Sequence, residues 1–464
     1  MSHEESCLLL PVDSAWLALE RPNNPMTITV LMRVEALTTD RLIDFLKIYW
    51  MAWERFRFMP VQHLSGWWWE SDPTFALQHH IETVPDALDE TQLQTWVSAR
   101  LNQPLPEYRP RWKFWLLPNA EGGAALLLRI HHCYGDGVAL MGVFERICTR
   151  SPQQAPVLYG ALERADLGRW GRAAQAWLHS LQTRADARQT GGVADLEKVT
   201  GPRRPLERAA FNGLRLVNEL SQFLIEPEDT DSPLTTPLLG RRSCRWSVPV
   251  ELSRFRSAAR ATGCTINDVL LACVSGAVRK QLENAGLDLD EVVLHAAVPV
   301  NIRGCLPEGI EPEPGTLGNY FGTVFVPLPV DGESALERLY RVKHETRKLK
   351  KSWQPCIAWG LTSSASLLPS PVRQSFRELL CRKASAVVSN VSGTPEPRYL
   401  AGCRIMEQMY WVPQAGDIGL GISIVSYAGR VQFGVVSDEA VMADPAGFLS
   451  DCLQALNDYP GYTD

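Results

Sequence analysis

Between residues 10 and 150, short apolar runs of strand length alternate with stretches whose apolar positions recur every three to four residues. These are the periodicities of strands and of amphipathic helices. Residues 27–32 (TITVLM) read as a strand and residues 39–55 as a helix; residues 125–130 read as a buried strand and residues 138–148 as the helix after it. The texture changes from about 160 to 230, where nine arginines are interleaved with Trp170, Trp177, Leu178, Leu181, Phe211 and Leu214 and broken by Gly191-Gly192 and Gly201-Pro202. Strand and helix alternation then resumes. Helices are expected at 253–261 and at 267–285, the second opened by Thr265 or Asn267 as a cap and closed by Gly286. A strand is expected at 292–298, an amphipathic helix at 335–351, and final strands at 419–425 and 431–436. The pattern is that of an α/β protein, with no short-period repeat and no low-complexity tract.

Length and composition narrow this picture. At 464 residues the chain is long enough for two large units or three ordinary ones. Its 45% hydrophobic and 21% charged residues are globular values. A net charge of -6 argues against a nucleic-acid partner, which calls for a basic excess. No run of about 18 apolar residues occurs, so no spanning helix is expected. The acidic start, Met1-Ser2-His3-Glu4-Glu5-Ser6, is unlike a secretory signal, and a cytoplasmic location is expected. Eleven cysteines without a C-x-x-C pair suggest neither a disulfide framework nor a zinc site. The 15 tryptophans point to large apolar surfaces or to an interfacial role, burial being the commoner cause.

The sharpest chemistry is His131-His132-Cys133-Tyr134-Gly135-Asp136-Gly137 at the end of the 125–130 strand. A strand end followed by a tight turn and a helix holds an imidazole rigidly. Alternation puts Leu128, Ile130 and His132 on one face and Arg129 and His131 on the other, so the two histidines have different jobs. His132 is the candidate general base, because an imidazole titrates near neutrality; His131 reads as structural. Asp136 is either the N-cap of the next helix or a carboxylate paired with a distant arginine, and both can hold. Cys133 would need an activating base to act as a nucleophile. No Gly-x-Ser-x-Gly elbow exists, since Leu336 and Val425 stand where Ser334 and Ser423 would need a second glycine. His79-His80 lack partners at metal-ligand spacing, and the phosphate-loop and dinucleotide glycine fingerprints are missing.

The His-His-x-x-x-Asp-Gly signature resembles that of coenzyme A-dependent acyltransferases related to chloramphenicol acetyltransferase, a superfamily that includes nonribosomal condensation domains and plant alcohol acyltransferases. Further blocks narrow the resemblance to the bacterial wax ester synthase/diacylglycerol acyltransferases. They are Pro11-Val12-Asp13-Ser14-Ala15-Trp16, Arg109-Pro110-Arg111-Trp112 (arginine replacing the leucine of the family's Pro-Leu-Trp), Gly240-Arg241-Arg242 and Thr265-Ile266-Asn267-Asp268-Val269-Leu270. Pro299-Val300-Asn301-Ile302-Arg303, Gly318-Asn319-Tyr320-Phe321-Gly322 and Ser389-Asn390-Val391-Ser392-Gly393-Thr394 complete the series, the last with Ser392 and Thr394 where prolines are usual.

The resemblance implies two chloramphenicol acetyltransferase-like halves, each a mixed β-sheet flanked by helices, with the active-site channel between them. The expected division is an N-terminal domain at 1–160, a helical basic linker at 161–232 and a C-terminal domain at 233–464. The implied activity moves a long-chain acyl group from acyl-coenzyme A to a fatty alcohol or diacylglycerol, with His132 as base and direct attack on the thioester. It places His131, Asp136 and Gly137 in the catalytic turn. Asn267 becomes a donor to the oxyanion or, equally, a plain helix cap. Arg303 is the expected partner of Asp136, and Asn390, Trp112 and Asn319 are expected to touch substrate. No metal is implied, and acyl-coenzyme A is a substrate, so no cofactor is needed. A related acyltransferase with another alcohol or a carrier-bound donor, or a catalytically silent lipid-binding protein, are the alternatives.

Such substrates imply visits to a lipid surface, with a peripheral place on the inner membrane face or on lipid bodies. Residues 163–215, with a local net charge of +4, suit an anionic interface or equally a solvated linker. The basic residues Arg341 to Lys351 suit coenzyme A phosphates or a solvated helix face.

Overall fold

A computed structural model of the chain describes residues 6–118, 122–157, 228–290, 292–306, 312, 316–332, 334–350, 352, 354–365 and 382–461. The basic segment at 163–215 and most of the expected linker at 161–232 lie outside these residues. The first stretch carries β1 (Ser6–Leu8), α1 (Pro11–Leu19), β2 (Thr27–Val34), α2 (Thr39–Phe45), β3 (Phe58–His63), β4 (Gly66–Ser71), β5 (Ile81–Thr83), α3 (Glu90–Leu101), β6 (Trp112–Pro118), β7 (Ala124–His131) and α4 (Gly137–Ile147). The second carries β8 (Arg242–Trp246), β9 (Val250–Glu251), α5 (Leu252–Thr262), α6 (Ile266–Asn284), β10 (His295–Asn301), β11 (Phe321–Pro327), α7 (Ala335–Leu349), α8 (Gln354–Ala365), β12 (Ala386–Ser392), β13 (Tyr399–Leu400), β14 (Cys403–Trp411), β15 (Leu420–Tyr427), β16 (Arg430–Asp438) and α9 (Pro445–Gln454).

Two large mixed sheets organise these elements. One runs β13-β14-β2-β7-β6-β5, antiparallel except for the parallel pair β5 and β6. The other runs β11-β10-β12-β15-β16-β8, with parallel pairing of β12 to β10 and to β15, and with β9 added to β16. A three-stranded sheet, β1-β4-β3, accompanies the first. Every residue of β7 is buried, which is why Ala124-Ala125-Leu126-Leu127-Leu128 is an apolar run and not an alternation.

The sheets do not divide where the sequence suggests. Although β14 belongs to the 233–464 stretch, it pairs antiparallel with β2, Met409 opposite Leu31 and Trp411 opposite Thr29. The chain then returns to the second sheet in β15, so the first sheet holds two strands, β13 and β14, from the later stretch, while the second sheet takes none from the earlier one.

Two local expectations need correction, and one alternative left open is decided. The helix expected at 39–55 stops at Phe45; Leu46–Trp50 is a π-helical turn and Glu54–Arg57 a 3-10 turn. That irregularity aims Trp50 into the core, face to face with Phe56 at 3.9 Å. The strand expected at 292–298 begins three residues later, because the backbone of Val293 is bonded to Thr230 instead of to a neighbouring strand. Thr265, not Asn267, caps α6: its hydroxyl accepts from Asp268 N while the Asp268 carboxylate accepts from Thr265 N at 2.8 Å, a capping box with aspartate in the usual glutamate position.

Most of the described tryptophans are core residues, with Trp50, Trp69, Trp112 and Trp411 among the largest fully buried side chains.

Candidate active site

The site starts at the end of β7. His131 pairs with Thr27 in the ladder and its ring is buried on the side away from the cavity. Its Nδ1 accepts the Cys133 backbone N–H at 3.1 Å, which leaves the proton on Nε2, 3.6 Å from Glu20 Oε1. Glu20 also holds Arg111 at 2.8 Å. Burial works to raise the Glu20 carboxyl, but His131 and Arg111 outweigh it and hold the group below its usual range. The arginine that departs from Pro-Leu-Trp thus has its own counter-ion, and His131 is bound into that ionic cluster.

His132 turns the other way, and its ring lies against Trp16 at 3.9 Å with an interplanar angle of 16°; Phe321 is 5.7 Å distant. Burial drives the imidazole down to about 4, against a weaker opposing pull from Asp136. The ring is therefore neutral at physiological pH and able to take a proton. Its Nδ1 is sealed from solvent, which leaves Nε2 on the side of the cavity that His132 lines. Among the described residues no serine or cysteine side chain is hydrogen-bonded to His132. Burial also pushes the Cys133 thiol far above its ordinary value, so it is no nucleophile.

Asp136 adopts both arrangements open to it. Oδ1 caps α4 by accepting Ala139 N–H at 2.8 Å and also accepts from Arg303 Nη2 at 3.0 Å. Oδ2 accepts Tyr320 N–H at 2.8 Å and lies 3.0 Å from Arg303 Nη1. The Asp136 N–H donates to Gly318 O at 3.1 Å. Loop 316–320 of one half thereby grips the His132–Gly137 turn of the other. This grip needs glycines: Gly318 has φ +143°, and a Cβ on Gly135 would sit 3.1 Å from Gly318 N.

Between the halves runs a largely apolar cavity of about 870 Å³, at the large end of the range for ligand pockets. Gly137, Val138, Met141, Gly142 and Glu145 line it, one face of α4 at helical spacing. From the second half come the strand-end residues Asn301, Ser389 and Asn390 with Arg303 and Phe321. Parallel strands carry ligands at their carboxyl ends, and Asn301 and Asn390 occupy those ends of β10 and β12, both exposed.

Other expected site residues fall elsewhere. Trp112 does not line the cavity: it is 1% exposed, stacks on His80 at 4.2 Å and donates Nε1–H to Phe56 O. Asn319 is fully buried behind His132 and does not line the cavity either. Asn267 is not a cap and does not line the cavity; its Oδ1 accepts from Asn390 Nδ2 at 2.9 Å, one side chain back from the opening. Arg341 is drawn away to Asp331 at 2.8 Å, and Lys351 lies outside the described residues. Sequence reasoning assigned no role to Trp16 or Asp13. The signal was present as a single acid inside Pro11–Leu19, which is apolar but for Ser14 beside it, and Asp13 is fully buried there.

Comparison with known proteins decides what this arrangement is. The profile of the wax ester synthase/diacylglycerol acyltransferase catalytic domain matches residues 9–270, and that of the WS/DGAT C-terminal domain matches residues 317–459. The chain belongs to this family. It is an acyltransferase with the two-lobed fold expected of the family. A putative diacylglycerol O-acyltransferase of Mycobacterium tuberculosis (strain ATCC 25618 / H37Rv) is 28% identical over 80% of this chain and 77% of its own length. The O-acyltransferase WSD of Acinetobacter baylyi is 23% identical over 92% of each chain. Among solved structures, the WS/DGAT of Marinobacter aquaeolei VT8 superposes with a TM-score of 0.64 at 21% identity, covering 97% of this chain and 98% of that one. The first condensation domain of the calcium-dependent antibiotic synthetase gives 0.63 at 16% identity, covering 98% and 96%. Among the described residues no group of three or more His, Cys, Asp or Glu side chains is arranged to hold a metal.

Proposed function

We propose that this WS/DGAT member transfers a long-chain acyl group from acyl-coenzyme A to the hydroxyl of a fatty alcohol or of diacylglycerol. The observation that carries the reading is a neutral, buried imidazole facing an apolar cavity between the halves, with no nucleophilic side chain among the described residues bonded to it. In this reading His132 Nε2 accepts the hydroxyl proton as the oxygen attacks the thioester carbon. The C–O bond forms, the C–S bond breaks, and the proton passes from Nε2 to the departing sulfur, with no acyl-enzyme. Asn390, which lines the cavity with its amide bonded to Asn267 behind it, is the candidate oxyanion donor. His132→Ala in the purified full chain is expected to lose turnover of palmitoyl-coenzyme A and hexadecanol by about 100-fold or more, with an unchanged melting temperature. Retained turnover in a folded variant overturns the mechanism. A matched panel with dipalmitoylglycerol as acceptor ranks the two acceptor classes.

Poorly soluble substrates support a peripheral place on the cytoplasmic face of the membrane or on lipid bodies. No single described helix is long and apolar enough to cross a membrane. Neutralising the arginines from Arg164 to Arg188 is expected to weaken co-sedimentation with anionic vesicles; unchanged co-sedimentation rejects that surface.

A further inference from the structure

A base that takes a proton at Nε2 must carry its own proton on Nδ1, so something has to choose that tautomer. Asp136 does not: both of its oxygens are committed to Ala139, Tyr320 and Arg303. Behind the ring, Nδ1 of His132 is buried and makes no well-aligned hydrogen bond among the described residues. Asn319 lies against it and acts on the imidazole in the sense that favours a ring proton, as does the histidine's own carbonyl. The Asn319 amide gives its Nδ2 protons to Asp13 Oδ1 at 2.8 Å and to His132 O at 3.0 Å. A carboxylate and a carbonyl only accept, so the amide cannot be turned over. Its Oδ1 is left as a second buried atom without a partner. Buried polar atoms are rarely unpaired, and here an orphan acceptor and an orphan ring nitrogen belong to side chains that touch.

We infer that Asp13 and Asn319 are positioning residues that set the tautomer of His132. The Asp13 carboxylate fixes the Asn319 amide, the amide oxygen takes Nδ1–H together with the histidine's own carbonyl, and the Nε2 lone pair faces the cavity. Asp13 is held in place by a second bond, from Asn319 N–H at 3.1 Å, and by Arg55, 3.8 Å from its other oxygen. Its helix, α1, also carries Trp16, so one helix fixes both the plane of the imidazole and the position of its proton. When Nε2 gains the substrate proton, the resulting imidazolium keeps Nδ1–H between two acceptors, which stabilises the charge as it forms. The catalytic consequence rests on His132 being the base; the tautomer itself does not.

The test is the ring nitrogen spectrum of the full chain labelled with ¹⁵N-histidine at pH 7, with the His132 signals assigned by their loss in His132→Ala. The wild-type ring is expected to show protonated Nδ1 and unprotonated Nε2. In Asn319→Ala and Asp13→Asn the second tautomer appears, and kcat falls about 10- to 100-fold with KM unchanged. A wild-type ring protonated on Nε2 overturns the inference without any variant. So does an Asn319→Ala enzyme that keeps a single tautomer and the wild-type kcat, or one in which KM rises at constant kcat, since Asn319 would then contact substrate. The spectrum needs no substrate, so a wild-type chain inactive on every acyl donor would count against the acyl-transfer reading and leave the tautomer standing.

Discussion

Two buried carboxyl groups near the His132 imidazole are handled in opposite ways. Asp136 is surrounded by donors and an arginine, whereas Asp13 has one oxygen without a hydrogen bond and is pushed by burial up to about 6. His132 is pushed by burial down to about 4. The signs oppose. Between about 4 and 6.5 the unfolded chain binds a proton on His132 that the folded chain does not, so that group makes stability rise with pH. Between about 4 and 6 the folded chain keeps a proton on Asp13 that the unfolded chain has lost, so that group makes stability fall with pH. Asp13→Asn removes only the second slope, and its melting temperature is expected to climb more steeply than that of the wild type from pH 4 to 6. Glu20 and Arg111 give a separate test. Glu20→Gln leaves a buried guanidinium unpaired and is expected to cost about 3–5 kcal/mol, whereas Glu20→Met with Arg111→Leu recovers most of it, measured by denaturant unfolding. The arginine was visible as a departure from Pro-Leu-Trp; its partner, 91 positions away, was not.

At the scale of elements, what is legible in the sequence is what is local. The run Ala124 to His131, the turn and the cap at Asp136 follow one another without a gap, and the sequence reading of strand, turn and helix matches β7 and α4 within a residue or two. Trp112 misled because a tryptophan after a turn in a family motif suggests a wall of the cavity, while the register of β6 sends it into the core beside Trp50 and Phe56. Thr265 and Asn267 are both polar residues at a helix start and both look like caps, and only the bonds of Thr265 and Asp268 choose Thr265. The Gly318–Gly322 block shows how close elements approach without announcing it: a Cβ on Gly322 would lie 1.7 Å from Pro355 O. Gly322→Ala is therefore expected to force α8 off β11, with a melting temperature lower by several degrees and loss of activity, whereas Gly304→Ala, which meets nothing within 4 Å among the described residues, should be close to neutral.

For the whole molecule, the two halves are legible from the spread of motif blocks, but the exchange of β14 is not, because nothing local in Cys403–Trp411 says which sheet it joins. Its partner is chosen by the apolar, unfilled edge of β2, a pairing across most of the chain. Residues 1–160 expressed alone are expected to be insoluble or to lack a cooperative melt, since β2 would present an open apolar edge; co-expression with residues 161–464 should restore a soluble complex, assayed by size-exclusion chromatography and circular dichroism. The same strand sets a clock on synthesis. At about 5–20 residues per second the ribosome needs roughly 20 to 75 seconds after making β2 before it can deliver β14. During that interval the nascent chain holds a nearly complete sheet with one edge bare, and its yield in the cell depends on what guards that edge until residue 411 emerges.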